Sequence, residues 1–334
     1  MTKAFWVQGL KILAFFLSGF TIMGVSPGRS AAAKLTLAML RSATQMPYYA
    51  AIESGFYRTY GLEVLPVQFS GGTQTIMALV SGDVQITTTG GPAAINARLK
   101  GGHVITVGTN VGVFPYILYV SDKVRKPEDL KGKRVGIAGF GGATHFAMIY
   151  ALRKLQLNPE TDVTLTQLGN ASARLGAMVS GSIVATLIQP PESLKARELG
   201  FKPLINLARS GVKFANNQVT TTDEYLKNRR PQVKKFMMGS IAGLARIKGD
   251  VPFAMKLFQK YLAISDPKIF SEAYEFWTQV YSPKFYVEPE EIETYLMTLK
   301  DRDGAKPDEF FDNSIVAELD REGFIDAIYK KYKK

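Results

Sequence analysis

The chain is 334 residues long, 46% hydrophobic and 21% charged, a balance too apolar for disorder and too polar for a multi-span membrane protein. It has 41 Lys and Arg against 29 Asp and Glu, a formal charge of +12, with two histidines (His103 and His145) and no cysteine. That excludes a disulfide scaffold, thiol catalysis, an iron–sulfur cluster, a cysteine zinc site and a cysteine-linked lipid anchor, and leaves nucleic acid, a membrane surface or an anionic ligand to explain the basic excess.

The chain opens on Lys3 and Lys11, followed by an apolar stretch over residues 12–25. The breakers Ser26, Pro27 and Gly28 come next, and then the small-residue run Ser30-Ala31-Ala32-Ala33. This is the order of a secretory signal peptide, and its apolar stretch falls short of the roughly 20 residues that span a bilayer. Cleavage is expected after Ala33, although an uncleaved anchor helix has the same opening. Loss of Lys3, Lys11 and Arg29 would lower the charge by three, to +9. Export would remove genomic DNA as a partner. The lack of a cysteine at the cleavage site points to a free periplasmic protein.

Predicted elements then alternate. A strand over 35–40 ends in the polar loop Arg41-Ser42-Ala43-Thr44-Gln45. A helix over 47–56 has Pro47 near its start and Gly55 near its end. Residues 62–69 alternate as a strand, Ser70-Gly71-Gly72-Thr73 opens a helix to 80, and 83–88 is a strand. A second series follows: a strand over 134–138, the loop 139–144 opening a helix to 155, and a strand over 163–168. Asn170-Ala171-Ser172 then caps a helix to 179, and 182–188 is a strand. From 223 onward the pattern is amphipathic helix, over 223–235, 232–247, 252–262, 267–280, 289–299 and 314–329, before a basic tail at 330–334.

The two series are related by a shift of 99 residues. Ala78-Leu79-Val80-Ser81-Gly82 falls on Ala177-Met178-Val179-Ser180-Gly181, Pro92 on Pro191, Gly101 on Gly200, and Gly112-Val113 on Gly211-Val212. The physical reading is two similar α/β lobes with mostly parallel sheets, whose ligands sit at the carboxyl ends of the strands.

Candidate site residues come from the loops on that side. Arg41 is the nearest cation for a sulfonate or carboxylate, or else a solvent-facing arginine. Ser42 and Gln45 are ligand contacts or helix caps. Gly71, Gly72 and Thr73 offer backbone N–H groups at a helix start, which favour anions, or make a tight turn. Thr89 and Gly90 lie past the end of a strand and line a pocket. In the second series Gly142 and Thr144 mirror the first loop, and His145 is either a contact or a structural histidine. Asn170, Gln189 and Glu192 complete the ring. Tyr48, Phe114, Tyr116 and Phe140 stack on a flat ligand or pack in the core. The loop GFGGAT at 139–144 lacks the ending of a nucleotide-hydrolase loop, and neither a nucleophile elbow nor a metal cluster is visible.

The segments MPYYAAIESGFY (46–57) and YGLEV (60–64), then Ser70-Gly71-Gly72, ALVSGDVQI (78–86) and KPEDLKGKRVG (126–136), resemble the nitrate/sulfonate/taurine/thiamine-precursor class of periplasmic solute-binding proteins. The resemblance implies a two-lobed type II clamp, with a first lobe of 34–118 plus 218–334, a second of 119–217, and a helical tail packed back on the first. It further implies a monomeric binding component of an ABC importer. Such a protein closes its cleft on a small sulfonate-, taurine- or pyrimidine-like molecule for a membrane permease, with no cofactor, metal or nucleic acid. Many members carry an apolar-Trp-Glu-Pro turn where this chain has Gln189-Pro190-Pro191-Glu192, so no particular substrate transfers. Three other readings share the fold. A ligand sensor without transport fits the same residues. A thiamine-pyrimidine synthase needs a cysteine-rich segment, and a transcription regulator needs an N-terminal DNA-binding helix pair.

Overall fold

The structure, a computed structural model, describes residues 32–299, 302 and 304–333; residues 1–31 of the expected leader lie outside them. Strand and helix alternate from the outset: β1 (Ala33–Leu40), α1 (Met46–Glu53), α2 (Phe56–Thr59), β2 (Leu62–Phe69), α3 (Gly72–Val80), β3 (Ile86–Thr89), α4 (Gly91–Leu99) and β4 (Val104–Val113). The chain then crosses over. The second series is β5 (Ile117–Val120), β6 (Lys133–Ile137), α5 (Ala143–Lys154), β7 (Val163–Gln167), α6 (Ala171–Val179), β8 (Ala185–Ile188), α7 (Glu192–Glu198) and β9 (Lys202–Asn206). A second crossing returns to β10 (Lys213–Thr222).

These strands form two five-stranded sheets, β2-β1-β3-β10-β4 and β7-β6-β8-β5-β9. The 99-residue offset is preserved in three dimensions: added to the bounds of α3 and β3, it gives the bounds of α6 and β8. It also carries β5 into β10, the strand that runs antiparallel to its neighbours in each sheet. The sheet changes fall at 114–116 and 207–212, so β5 and β10 straddle the lobe boundaries read from the sequence. Two α/β lobes of like topology result, as the sequence repeat predicts.

The tail is α8 (Asp223–Gly249), α9 (Val251–Leu262), α10 (Pro267–Val280), α11 (Pro289–Leu296), α12 (Ser314–Arg321) and α13 (Phe324–Tyr332). Thr222 caps α8 by accepting from the Tyr225 N–H, and Asp250 and Asp266 cap α9 and α10 ahead of Pro252 and Pro267. Two sequence expectations fail here. The break expected between helices over 223–235 and 232–247 comes earlier, at Arg229 two residues before Pro231, whose ring and missing N–H interrupt the helical backbone. The single helix expected over 314–329 is two, parted at Gly323, which takes the left-handed φ of 73°.

Most of the tail buries its apolar faces in the first lobe's core, where Phe236 stacks between Tyr48 and Tyr57 at 6.1 and 5.2 Å. Tail helix α11 packs elsewhere. Its Ile292, Tyr295 and Leu296 join the second core, and Tyr295 meets Phe146 edge-on at 4.4 Å. From α11, Glu291 is pressed against β4 and β10, where it accepts from the Thr109 hydroxyl (2.8 Å) and the Gln218 amide (3.3 Å). A Cβ on Gly112 would lie 2.2 Å from its carboxylate. The nearby charges, Glu288 and Lys213, pair with each other at 2.7 Å.

Burial pushes the Glu291 carboxyl up from its ordinary 4.5 to about 8. The folded protein therefore holds a proton that the unfolded chain has released, and stability falls as pH rises from about 4.5 to about 8. Glu291→Gln should flatten that slope. Thermal melts should show the variant gaining on wild type by several degrees between pH 5 and 8, whereas parallel melting curves would contradict the assignment.

Candidate functional site

In a right-handed βα unit each helix begins at the carboxyl edge of the preceding strand, so six loops, after β1, β2, β3, β6, β7 and β8, gather at one edge of their sheets. The two edges face each other across a cleft of two connected chambers. The inner one, about 320 Å³, is walled by the starts of α3, α4 and α5 together with Asn216 and Asn217 of β10. The outer one, about 690 Å³, is walled by Arg41, Tyr49, Gln68, Arg174, Gln189, Glu192 and Tyr261 among others. Leu40, Ser42, Ser70, Tyr116, Ala138 and Thr144 line both. A larger groove, about 780 Å³, lies beside the crossings against α10, with charges tied up in the pairs Arg197–Glu272 and Lys213–Glu288.

The inner chamber has no charged side chain on its wall. Gly71, Gly90 and Gly142 precede the first residues of α3, α4 and α5 in extended conformation, so backbone rather than side chain forms the wall there. Gly72, Thr73, Thr89 and Thr144 complete this group of candidates. Thr144 also accepts from the Ala138 N–H at 3.0 Å, fixing the loop after β6. The Thr89 hydroxyl and the Asn216 side-chain oxygen are buried with no hydrogen-bond partner.

The lobes touch around this chamber. Thr73 donates to the Phe140 carbonyl (3.2 Å), and the Gln189 amide donates to the Ser42 hydroxyl (2.9 Å). A Cβ on Gly90 would stand 2.9 Å from that of Ala143 on the other lobe.

The outer chamber is two-sided. On the first lobe Tyr49 and Tyr261 stack at 3.8 Å, and Glu53 accepts from Tyr261 (2.5 Å) and Lys260 (2.7 Å). On the second lobe are Asn170, which caps α6 by accepting from the Ala173 N–H, and the charged residues Arg174 and Glu192. Burial lowers the Arg174 pKa and raises that of Glu192, and each charge partly offsets the other.

Two candidates lie outside both chambers. Gln45 is fully buried beneath the floor, donating to Asn217 Oδ1 (2.9 Å) and Thr88 O (3.2 Å) and accepting from the Thr88 hydroxyl (2.6 Å). His145 turns back on its own loop, where Nδ1 accepts from the Gly141 N–H at 3.2 Å between the rings of Phe140 and Phe146; burial lowers its pKa. Of the four aromatics, Tyr48 and Phe114 are core, while Tyr116 and the half-exposed Phe140 line the cleft. Arg174, Asn216, Asn217 and Tyr261 were not candidates from the sequence. Asn216 and Asn217 could have been found by adding 99 to Ile117 and Leu118, where polar residues replace apolar ones in a buried strand. Among the described residues no group of three or more His, Cys, Asp or Glu is placed to hold a metal.

Residues 42–250 match a family model described as NMT1/THI5 like. The riboflavin-binding protein RibY of Chloroflexus aurantiacus is 28% identical over 204 residues, 60% of this chain and 57% of that protein, so the match spans less than two thirds of the relative. The taurine-binding periplasmic protein of Escherichia coli is 31% identical over 238 residues, 62% of this chain and 72% of that protein.

Solved structures share the fold at lower identity. A protein of Bordetella bronchiseptica RB50 has a TM-score of 0.78 at 18% identity, covering 88% of this chain and 98% of its own. The alkanesulfonate-binding protein SsuA from Xanthomonas axonopodis pv. citri, bound to MOPS, has 0.68 at 19%, covering 80% and 92%. The desulfurization enzyme DSZB has 0.62 at 14%, covering 87% and 99%.

Gln45 is a strut beneath the site. Gln45→Ala strips the donor from Asn217 and Thr88 and the acceptor from the Thr88 hydroxyl, and should cost about 2–4 kcal/mol. Urea unfolding measures this, and a loss under about 1 kcal/mol would mean that water replaces the side chain.

Proposed function

The chain belongs to the NMT1/THI5-like family, and on that premise we propose that it is the solute-binding component of an ABC importer. It captures a small organic anion or polar molecule by closing the cleft between its lobes. Residues 1–33 direct export and are removed near Ala33, and the protein works as a periplasmic monomer that presents its closed form to a membrane permease. The observation that carries this reading is the cleft itself: loops from both lobes converge on one pair of chambers and touch across it. Two relatives named for binding riboflavin and taurine support a solute site, and among the described residues no helix is long and apolar enough to cross a membrane.

In this reading Arg41, Ser42, Gly71, Gly72, Thr73, Thr89, Gly90, Gly142, Thr144, Asn170, Gln189 and Glu192 surround the solute, and no covalent step is needed. The enzyme DSZB among the structural neighbours shows that this fold also carries a catalyst. Against catalysis here, the chain has no cysteine, and its one histidine near the cleft is turned into its own loop. A sensor without a permease would bind solute identically, and neighbouring genes for a permease and an ATPase would separate the two.

A thermal-shift screen against sulfonates, carboxylates, nitrate, amines and pyrimidines tests the binding role. At least one class should raise the melting temperature with concentration, by about 2.7 kcal/mol of stabilisation at a hundred times Kd. Stabilisation by none of them overturns the reading. Closure is tested separately by Gly90→Val, which places a side chain against Ala143. Affinity for the solute found should fall at least about tenfold, and the radius of gyration in solution scattering should grow. An unchanged radius and affinity would mean that the lobes do not close there.

A further inference from the structure

Arg174 is 5% exposed, on the outer-chamber wall. Its Nε and Nη1 donate to neutral oxygens: Asn170 O (3.4 Å), Thr186 Oγ1 (3.3 Å) and Leu187 O (2.6 Å). Among the described residues no carboxylate comes within the 4.0 Å of an ion pair, and the acid whose charge it feels, Glu192, stands on the same wall. Burying a guanidinium without a counter-charge is costly, and buried charges in folded proteins are paired. Glu192 offsets this charge only in part, and a negative group entering the chamber would complete the pairing.

The inner chamber poses the opposite requirement. It has no charged side chain to balance an ion, and backbone, hydroxyl and amide groups make up its polar lining. The chambers, about 320 and 690 Å³, together suit a drug-sized molecule, far larger than an inorganic oxyanion.

We infer that Arg174 is the anion-recognising residue of the cleft, and that the solute is a two-part organic monoanion. Its charged group meets Arg174 in the outer chamber, while an uncharged body fills the inner chamber. Glu192 disfavours a second negative group beside Arg174, while Arg41 on the other lobe is a further cation of the same chamber. The stacked Tyr49 and Tyr261 on the opposite wall give an aromatic portion of the solute an apolar surface. Arg174 has this role only if the cleft is a solute site, the reading proposed above.

The test is calorimetric titration of the purified protein with a panel of aromatic and heteroaromatic monoacids, the neutral amide of each, methanesulfonate and nitrate. The best monoacid should bind at least about tenfold tighter than its own amide and than either small anion. Arg174→Gln should abolish that preference while leaving the amide within about threefold, and Arg174→Lys should restore part of it by charge without the guanidinium fork. A purely structural arginine would weaken acid and amide alike, so the split between them reads recognition.

An amide that binds as well as its acid overturns the inference and leaves the solute-binding reading standing. So does a small anion that binds as tightly, or a preference that survives Arg174→Gln. If neither the panel nor the thermal-shift classes bind, both fall together. Should Arg174→Gln not fold, the acid-to-amide ratio in wild type and Arg174→Lys decides.

Discussion

Everything in this cleft follows from the direction of a parallel strand. Because each strand of a βα unit points its carboxyl end, and the start of the next helix, toward the same edge, one lobe delivers three loops to one line. A second copy turned to face the first supplies three more. The strands that break the rule, β5 and β10, run antiparallel, so their amino ends arrive at that same edge and bring Tyr116 and Asn216 to the chamber. Glycine at the starts of α3, α4 and α5 lets backbone form the wall, and at Gly90 it lets the lobes approach more closely than a side chain would permit.

Much of this was legible in the sequence because it is local. Strand alternation, the Asn170 cap and the glycine and threonine clusters after the strands identified the loops, and the 99-residue repeat paired them. What escaped is set by contacts distant in the chain. Gln45 and the loop it occupies look alike for binding until Asn217, 172 positions away, takes its amide. Arg174, four residues into α6, reads as an ordinary helical charge, and only the packing of β8 beneath it buries the guanidinium. His145 was ambiguous for a related reason: whether a first-turn histidine faces a ligand or its own loop is decided by a rotamer. The tail helices were found, but their ends were misjudged where Pro231 interrupts a helix and Gly323 ends one.

The charge of the chain and the charge of the cleft are different matters. A formal +12 suggests a strongly basic site, yet the inner chamber is neutral, and many of the basic side chains pair with acids near the surface, as Lys234 does with Glu318 and Glu322. Such surface pairs contribute about 0–1 kcal/mol each. The basic excess accordingly lies outside the inner chamber.

The strand order also fixes a sequence of events. In the second sheet all five strands lie between residues 117 and 206, one contiguous stretch. In the first, β4 can join only through β10, which begins at residue 213, and the core beneath it awaits helices that end at residue 332. A chain that emerges amino end first therefore presents β3 and β4 long before their shared partner β10 exists. The second sheet can pair all its strands in the meantime, but its core, like the first, is completed only by a late helix, α11.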